Sequence, residues 1–204
     1  MRELQGEACI RLEDAPPPPQ QVACTRSFGQ PITALSALSE AISSFAAQAA
    51  QKLRHQRQQA ASLRVFVHTS PFRPGPRFSQ SIVVPLLRPT ADSRLLIQAA
   101  LAATARIYQP GFQLAKAGVM LLDLRPEGQA QGELGLAPAE QRDKHRDTSA
   151  LMATMDTLNR RYGAGTVHVA STPDRHTASD WNMRQERLTP QYTTRWSDLP
   201  VVRA

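Results

Sequence analysis

Residues 63–86, with the sequence LRVFVHTSPFRPGPRFSQSIVVPL, contain two candidate β-strands separated by a loop. In the first half, aliphatic residues alternate with Arg64, Phe66 and His68, which is the pattern of a strand with one buried face. The segment between the two apolar runs is rich in proline and glycine, which is typical of a hairpin loop. We therefore predict a β-hairpin with strands over residues 63–69 and 78–86.

A long helix is predicted on the N-terminal side of this hairpin. Val22–Phe28 is a candidate strand, Gly29–Pro31 a candidate turn and Thr33 the candidate N-cap of the helix. After Thr33 apolar residues recur at spacings of three and four, so one stripe of the helix must be buried. The stripe consists of Leu35, Leu38, Ile42, Phe45, Ala49 and Leu53.

A second helix and a last strand follow the hairpin. The helix is predicted to start near Thr90 or Asp92, to end before Pro110, and to carry Leu96, Ala99, Ala103 and Ile107 on one side. The last strand is predicted over residues 113–124. The order strand, helix, strand, strand, helix, strand indicates an α+β, ferredoxin-like βαββαβ domain over residues 21–126, with two helices on one face of a four-stranded sheet and the other face free.

The segments on either side of this domain have a different composition. Residues 1–20 end in the run Pro16–Pro19, which indicates an extended linker, and residues 127–144 are polar and glycine-rich, as expected of a flexible connector. Residues 145–204 form a further unit, which we expect to be partly disordered in isolation. It contains a predicted helix whose apolar residues fall at spacings of four, three and four, namely Leu151, Met155, Leu158 and Tyr162, and a possible short strand over 166–170. This is too little to bury much apolar surface. Trp181 and Trp196 in the tail either stack on bases or anchor the tail onto the βαββαβ domain or onto a partner.

Charge and cysteine content restrict the class of protein. Lys and Arg number 24 against 17 Asp and Glu, a net charge of +7, which favours an anionic partner such as nucleic acid, although a genomic bias toward arginine would give the same balance. Cys9 and Cys24 lie far apart without metal-ligand spacing, so neither a zinc site nor a disulfide is predicted. We expect a cytoplasmic protein with no membrane partner, because no signal peptide and no long apolar run is present.

Several segments resemble one family. They are Thr25-Arg26-Ser27-Phe28-Gly29, Val67-His68-Thr69-Ser70-Pro71-Phe72, Lys116-Ala117-Gly118-Val119-Met120-Leu121, Met155-Asp156-Thr157-Leu158-Asn159, Trp181-Asn182-Met183, Tyr192-Thr193-Thr194 and Ser197-Asp198-Leu199. Together they resemble the little-finger domain and C-terminal extension of UmuC proteins, the Y-family translesion polymerase subunit of polymerase V. The resemblance spans essentially the whole chain.

The resemblance implies that this chain is the C-terminal part of a DNA polymerase. Arg2-Glu3-Leu4-Gln5-Gly6 resembles the end of the thumb region, and the palm, which carries the magnesium-binding carboxylates in the family, is missing. Asp92, Asp123 and Asp156 lie on three different predicted elements, so no two-metal cluster is expected. We therefore expect no catalysis and no cofactor in this part of the protein, with Mg²⁺ needed only by the parent polymerase.

The resemblance also implies a set of DNA contacts. The matching residues are Arg26 and Ser27 on the first strand, Thr69 and Ser70 at the end of the second, and Lys116 on the last. Charge and position add Arg73 and Arg77 in the hairpin loop. Since successive side chains of a strand face opposite sides, Arg26 and Ser27 cannot both point at DNA.

The connector carries a candidate partner-binding peptide. Gln131-Gly132-Glu133-Leu134-Gly135-Leu136 resembles the six-residue sliding-clamp motif, with Gln131, Leu134 and Leu136 as its contact residues, and a plain linker is the alternative.

The leading functional hypothesis is a module that grips damaged primer-template DNA through its phosphates during SOS damage bypass and also contacts the sliding clamp. The alternative is a protein-interaction module that binds the processed UmuD dimer, RecA or the clamp. A third hypothesis, an RNA-binding sheet, is weaker because Phe66 alone does not make a cluster of aromatic rings.

Overall fold

The described residues form one four-stranded antiparallel sheet with helices on one side. The computed structural model describes residues 3–6, 19–128, 148–173, 181–182 and 189–199. In chain order the elements are β1 (Val22–Ile32), α1 (Leu35–His55), β2 (Gln58–Thr69), β3 (Ser79–Thr90), α2 (Ser93–Ile107), β4 (Leu114–Pro126) and α3 (Ser149–Tyr162), with short 3-10 turns at Glu3–Gln5 and Trp196–Asp198. The predicted α+β, ferredoxin-like order βαββαβ is confirmed.

The strand order in the sheet is β1-β4-β2-β3. β4 therefore lies between β1 and β2, and β2 lies between β3 and β4, so each βαβ unit is split by a strand of the other unit. β2 and β4 pair from Gln58 opposite Pro126 to Thr69 opposite Leu114. This pairing extends β2 at its N-terminal end and β4 at its C-terminal end beyond the predicted limits. The polar Gln58 and Gln59 are therefore part of β2.

The core lies between the sheet and helices α1 and α2. From β2 it receives Leu63, Val65 and Val67, which are fully buried, as the alternation predicts. The predicted α1 stripe is also confirmed from Leu38 to Leu53, whereas Leu35, in the first turn, is exposed. One face of the sheet is therefore packed against helices; we call it the helix face.

Two local predictions at the start of the domain are wrong. Gly29–Pro31 is not a turn but continues β1, and a register shift between Ser27 and Ile32 absorbs the irregularity. An edge strand tolerates this proline, which has no N–H to donate. The N-cap of α1 is Ala34 rather than Thr33, with no side-chain hydrogen bond.

The N-cap of α2 is Asp92, which is one of the two residues near which the helix was predicted to start. Its carboxylate accepts a hydrogen bond from the backbone N–H of Arg94 at 2.8 Å. The hydroxyl of Thr90 accepts one from the backbone N–H of Asp92 at 3.1 Å, so the two candidate start residues act together.

Helix α3 packs on the domain through a side other than its apolar stripe. Met152 is buried, whereas Leu151 and Tyr162 are 51% and 61% exposed and Leu158 is also exposed, so most of the stripe faces solvent. The reason is the bidentate ion pair of Arg54 on α1 with Asp156, in which both nitrogen-to-oxygen distances are 2.7 Å. This pair fixes the rotation of α3 about its axis.

The residues after α3 contact the domain at a second point. Residues 166–170 have irregular backbone rather than the predicted strand, and the side chain of Asn159 holds the backbone of Val167 through two hydrogen bonds of 2.8 Å. Trp181 is buried and meets the ring of Phe45 edge-on at 5.6 Å between centroids. Trp181 is thus an anchor onto α1, one of its two predicted roles. None of the described helices is long and apolar enough to cross a membrane.

Candidate nucleic-acid interface

The sheet surface opposite the helices is exposed along the described chain; we call it the open face. Strand register places its side chains in three rows that each cross all four strands. In the order β1, β4, β2, β3 the rows are Ala23, Met120, Arg64, Val83; then Thr25, Gly118, Phe66, Ser81; and then Ser27, Lys116, His68, Ser79. All of these residues except Gly118 are exposed or half-buried, so no described segment covers this face.

The third row places hydroxyl, ammonium and imidazole groups side by side; we call Ser27, Lys116, His68 and Ser79 the phosphate row. Neighbouring strands lie about 4.8 Å apart, so the row is about 14 Å long. His68 Nδ1 lies 3.0 Å from the carbonyl oxygen of Thr69, and since a carbonyl only accepts, Nδ1 carries a proton. The row therefore offers several donors to an anion and contains no carboxylate.

The other two rows add a cation and an aromatic ring. Arg64 donates from Nη2 to the hydroxyl of Ser81 at 3.0 Å and remains exposed. Phe66 and His68 are next neighbours on the same side of β2, and their rings are inclined by only 13° with centroids 6.2 Å apart. The open face thus combines hydroxyl and cationic groups with the ring of Phe66 at its centre, and Ala23, Met120 and Val83 make its first row largely apolar.

Of the two predicted contacts on β1, only Ser27 has its side chain on the open face. Arg26 pairs with the buried Ala117 and so lies on the helix face, at the exposed edge of the sheet. The Cys24 thiol lies on the same side of the sheet as Arg26. Burial raises the pKa of this thiol, and the positive charges of Lys52 and Arg26 partly offset the increase.

The hydroxyls of Thr69 and Ser70 are used inside the hairpin loop. Thr69 Oγ1 accepts from the backbone N–H of Phe78 at 3.0 Å and donates to its carbonyl oxygen at 3.3 Å. Ser70 accepts from the N–H of Phe72 at 3.3 Å. Phe78 also stacks on Phe112 at 4.5 Å, so the base of the loop is fixed.

The tip of this loop presents charge next to the phosphate row. Arg73 and Arg77 are both exposed, as is Phe72 at 95%. The loop begins at Ser70, two residues after His68, so its arginines extend the cationic surface beyond the end of the sheet. Of the predicted residues, the structure places Ser27 and Lys116 side by side on the open face. Thr69, Ser70, Arg73 and Arg77 lie in or at the start of the adjoining loop, and Arg26 lies on the helix face.

The residues missed by sequence reasoning are His68, Ser79, Ser81 and Arg64. The alternation in β2 placed Arg64, Phe66 and His68 together on the polar side, which was the available signal. Their alignment with Lys116 and Ser27 depends on β4 lying between β1 and β2, and no local pattern reveals that order. Gln131, Leu134 and Leu136 of the candidate clamp peptide lie outside the described residues.

Three aspartates, Asp92, Asp123 and Asp156, have structural partners. Asp156 binds Arg54, and Asp123 accepts a hydrogen bond from Ser62. Burial alone would raise the pKa of Asp92, but hydrogen bonds from Arg94 and Thr148 outweigh it and lower the pKa below its ordinary value. Within the described ranges no three His, Cys, Asp or Glu side chains are grouped so that they could hold a metal ion.

Comparison with known proteins identifies the family. Residues 19–134 match the impB/mucB/samB family C-terminal domain. The chain belongs to this family. Residues 149–202 match a second domain, DUF4113, which is described only as a domain of unknown function.

Relatives of this impB/mucB/samB family member match the chain along its length. It is 43% identical to the protein ImpB of Salmonella typhimurium over 204 residues, which are 100% of this chain and 46% of that protein. It is 40% identical to the protein UmuC of Salmonella typhimurium strain LT2 over 200 residues, which are 98% of this chain and 46% of that protein. The predicted UmuC-type identity is thereby confirmed, and the chain spans about half the length of these relatives.

A solved structure also shows similarity. A complex of the beta-clamp processivity factor and the little finger domain of PolIV matches 57% of this chain and 99% of the matched chain, with a TM-score of 0.36 and 20% identity.

Proposed function

We propose that this chain is the DNA-gripping region of an error-prone translesion DNA polymerase, and that its open face holds primer-template DNA through backbone phosphates. The observation that carries the proposal is the phosphate row, in which Ser27, Lys116, His68 and Ser79 cross a sheet face that none of the described segments covers. Family membership and an excess of seven positive charges support it.

Phosphate contact suits a polymerase that must pass damaged bases. Contacts to phosphate and sugar fix the position of the duplex without reading its sequence. The hydroxyls and the ammonium of the phosphate row can all donate to phosphate oxygens, and Arg73 and Arg77 can extend the contact from the loop. A lesion that alters only the base leaves all these contacts intact.

The salt dependence of binding tests this proposal. If the open face and its loop neutralise four to six phosphates, the logarithm of the affinity for primer-template DNA falls with the logarithm of salt with a slope of about −4 to −5. Fluorescence anisotropy at salt concentrations between 50 and 200 mM measures the slope. A slope near zero, or equal binding of a neutral DNA analogue, would contradict the proposal.

The parent polymerase and its setting are part of the same proposal. We infer that a palm elsewhere in the full-length protein holds Mg²⁺ and performs nucleotidyl transfer in the SOS response, and that this part of the protein is inert alone. Primer extension by the full-length protein, compared with this chain at equal concentration, tests the division. Extension by this chain alone would contradict it.

A second candidate function is protein binding by the C-terminal extension. The observation that favours it is the exposed apolar side of α3, formed by Leu151, Leu158 and Tyr162, because exposed aliphatic and aromatic groups on one helix face are typical of an interface. The processed UmuD dimer and RecA are the proposed partners. The double variant Leu151→Ser, Tyr162→Ser should weaken binding to one of them and leave DNA binding unchanged; unchanged binding to both would exclude this role for α3.

Clamp binding is proposed from the sequence of the connector. Gln131, Leu134 and Leu136 provide the glutamine and the two leucines that such a peptide places in preformed pockets. The double variant Gln131→Ala, Leu134→Ala should abolish binding to the purified clamp, with Gln129→Ala as the matched control. Equal clamp affinity of the double variant and the original protein would reject the proposal.

A further inference from the structure

The ring of Phe66 occupies the centre of the open face because Gly118 has no side chain. A Cβ atom on Gly118 would lie 2.7 and 2.8 Å from Cε1 and Cζ of Phe66 and 2.5 Å from Cγ2 of Thr25. Such distances are far inside van der Waals contact, so any other residue at 118 would displace the ring. Phe66 therefore leans across β4, and Gly118 is what permits this position.

No large side chain shares the row of Phe66. The other members, Thr25, Gly118 and Ser81, are small, and Phe66 itself is half-buried rather than covered. The nearly parallel ring of His68 lies beside it, at 6.2 Å between centroids. Two rings rather than one thus lie on the open face, which removes the objection that Phe66 stands without an aromatic neighbour.

An apolar ring at this position has no use in gripping duplex phosphates. In a duplex the base faces are stacked on each other, whereas an unpaired base offers a free π-face to an aromatic side chain. Arg64 and Lys116 lie in the rows on either side of the ring and can neutralise the phosphates that flank such a base. The chemistry of this patch fits a single-stranded nucleic acid.

We propose that Phe66 is a stacking site for an unpaired base, so that the open face binds a single-stranded segment in addition to duplex phosphates. The proposal rests on the proposed function, because it assumes that the open face meets DNA. Filling the space above Gly118 is the purely structural role for the ring, and the two roles predict different results.

The test uses single-stranded oligonucleotides that contain 2-aminopurine, whose fluorescence falls when the base stacks. The unsubstituted protein should quench this fluorescence on binding, and absence of quenching at saturating protein would overturn the proposal. Phe66→Leu, which keeps an apolar side chain without a π-face, should weaken single-strand binding about fivefold or more. Its affinity for fully paired duplex should stay within a factor of two.

Two further variants keep the test decisive. Phe66→Tyr keeps the ring and should retain single-strand affinity and quenching, while Phe72→Leu removes the exposed aromatic of the loop and should change neither. If Phe72→Leu lowers quenching and Phe66→Leu does not, the stacking site is in the loop and the proposal is wrong. If Phe66→Leu weakens single-strand and duplex binding equally, the role of Phe66 is structural and the proposal is also wrong.

These outcomes separate the inference from the proposed function. Salt-dependent duplex binding that persists in Phe66→Leu without any single-strand effect would reject the stacking site and keep the phosphate grip. Duplex binding by the unsubstituted protein that does not depend on salt would reject the phosphate contacts themselves.

Discussion

The two faces of the sheet are formed by the same four strands and are completed in opposite ways. The helix face carries aliphatic side chains, is packed against α1 and α2, and beyond them the C-terminal extension is attached through Arg54 and Phe45. The open face carries hydroxyls, cations, the neighbouring rings of Phe66 and His68 and the apolar Met120 and Val83, and no described segment covers it. The packing that stabilises the fold thus lies on one face, and the groups proposed to bind DNA lie on the other.

This difference means that stability and binding can be changed separately. A substitution on the helix side removes packing or buried ion pairs, so it should lower the free energy of unfolding while the surviving folded molecules bind DNA normally. A substitution on the open face removes donors that water can replace in the free protein, so it should change affinity with little effect on folding.

The largest effect is expected at Phe45, which is fully buried and contacts Trp181. Phe45→Ala should lower the free energy of unfolding by about 3–5 kcal/mol, because it leaves a cavity and removes the anchor of the extension. Urea denaturation followed by circular dichroism measures the change. The matched control Phe72→Ala, at an exposed position, should change it by less than about 0.5 kcal/mol; a loss below 1 kcal/mol for Phe45→Ala would show that α1 is not the centre of the core.

The next effect concerns the attachment of α3 through Arg54 and Asp156. Both side chains are largely shielded from solvent, at 14% and 18% exposure, and Arg54 also donates to the carbonyl of Ala91 at 2.8 Å and to Ser93 at 2.9 Å. Asp156→Ala should therefore lower the free energy of unfolding by about 2 kcal/mol, since it leaves a shielded guanidinium without its carboxylate.

A double-mutant cycle isolates this interaction. Arg54→Ala, Asp156→Ala and the double variant should give a coupling free energy of about 1–2 kcal/mol. Duplex affinity should remain unchanged in all three, because the pair lies on the helix side. A coupling near zero would contradict the expected contribution of this ion pair, and a selective loss of DNA binding would contradict the separation of the two faces.

A smaller effect, dependent on pH, is expected at Asp92. Its pKa is lowered in the folded protein, so its contribution to stability is present above the ordinary aspartate pKa and is lost as pH falls through the lower folded value. Asp92→Ala should lower the free energy of unfolding at pH 7 by about 1 kcal/mol through the lost N-cap. The difference in free energy of unfolding between Asp92→Ala and the unsubstituted protein, measured by urea titration, should become smaller as the pH falls below about 4. A difference that becomes larger toward low pH would mean that the pKa of Asp92 is raised in the folded protein rather than lowered.

The order of elements was predictable because it depends on local patterns. The α1 stripe and the alternation in β2 are each contained within a few turns or residues, and both are confirmed. The orientation of α3 was not predictable, because Asp156 is fixed by an arginine 102 residues away. A stripe at helical spacing shows that one side is apolar, but it does not show which side meets the core.

The same limit applies to the candidate interface. The resemblance provided Ser27 and Lys116, and the alternation placed His68 on the polar side of β2. Only the pairing of β4 with both β1 and β2 aligns these three residues in one row. Arg26 shows the opposite case: its charge and motif position predicted a contact, yet strand geometry places its side chain on the helix face.

The smallest effect on free energy is the most direct test of the open face. Lys116→Ala should make the slope of log affinity for primer-template DNA against log salt less negative by about 0.9, the value for one phosphate contact. Lys52→Ala is the matched control, since Lys52 is an exposed lysine on α1, on the other side of the sheet. Both variants remove one positive charge, so a general effect of net charge changes both slopes equally. A change confined to Lys116 requires a phosphate near that ammonium, and equal slopes would mean that DNA does not distinguish the two faces.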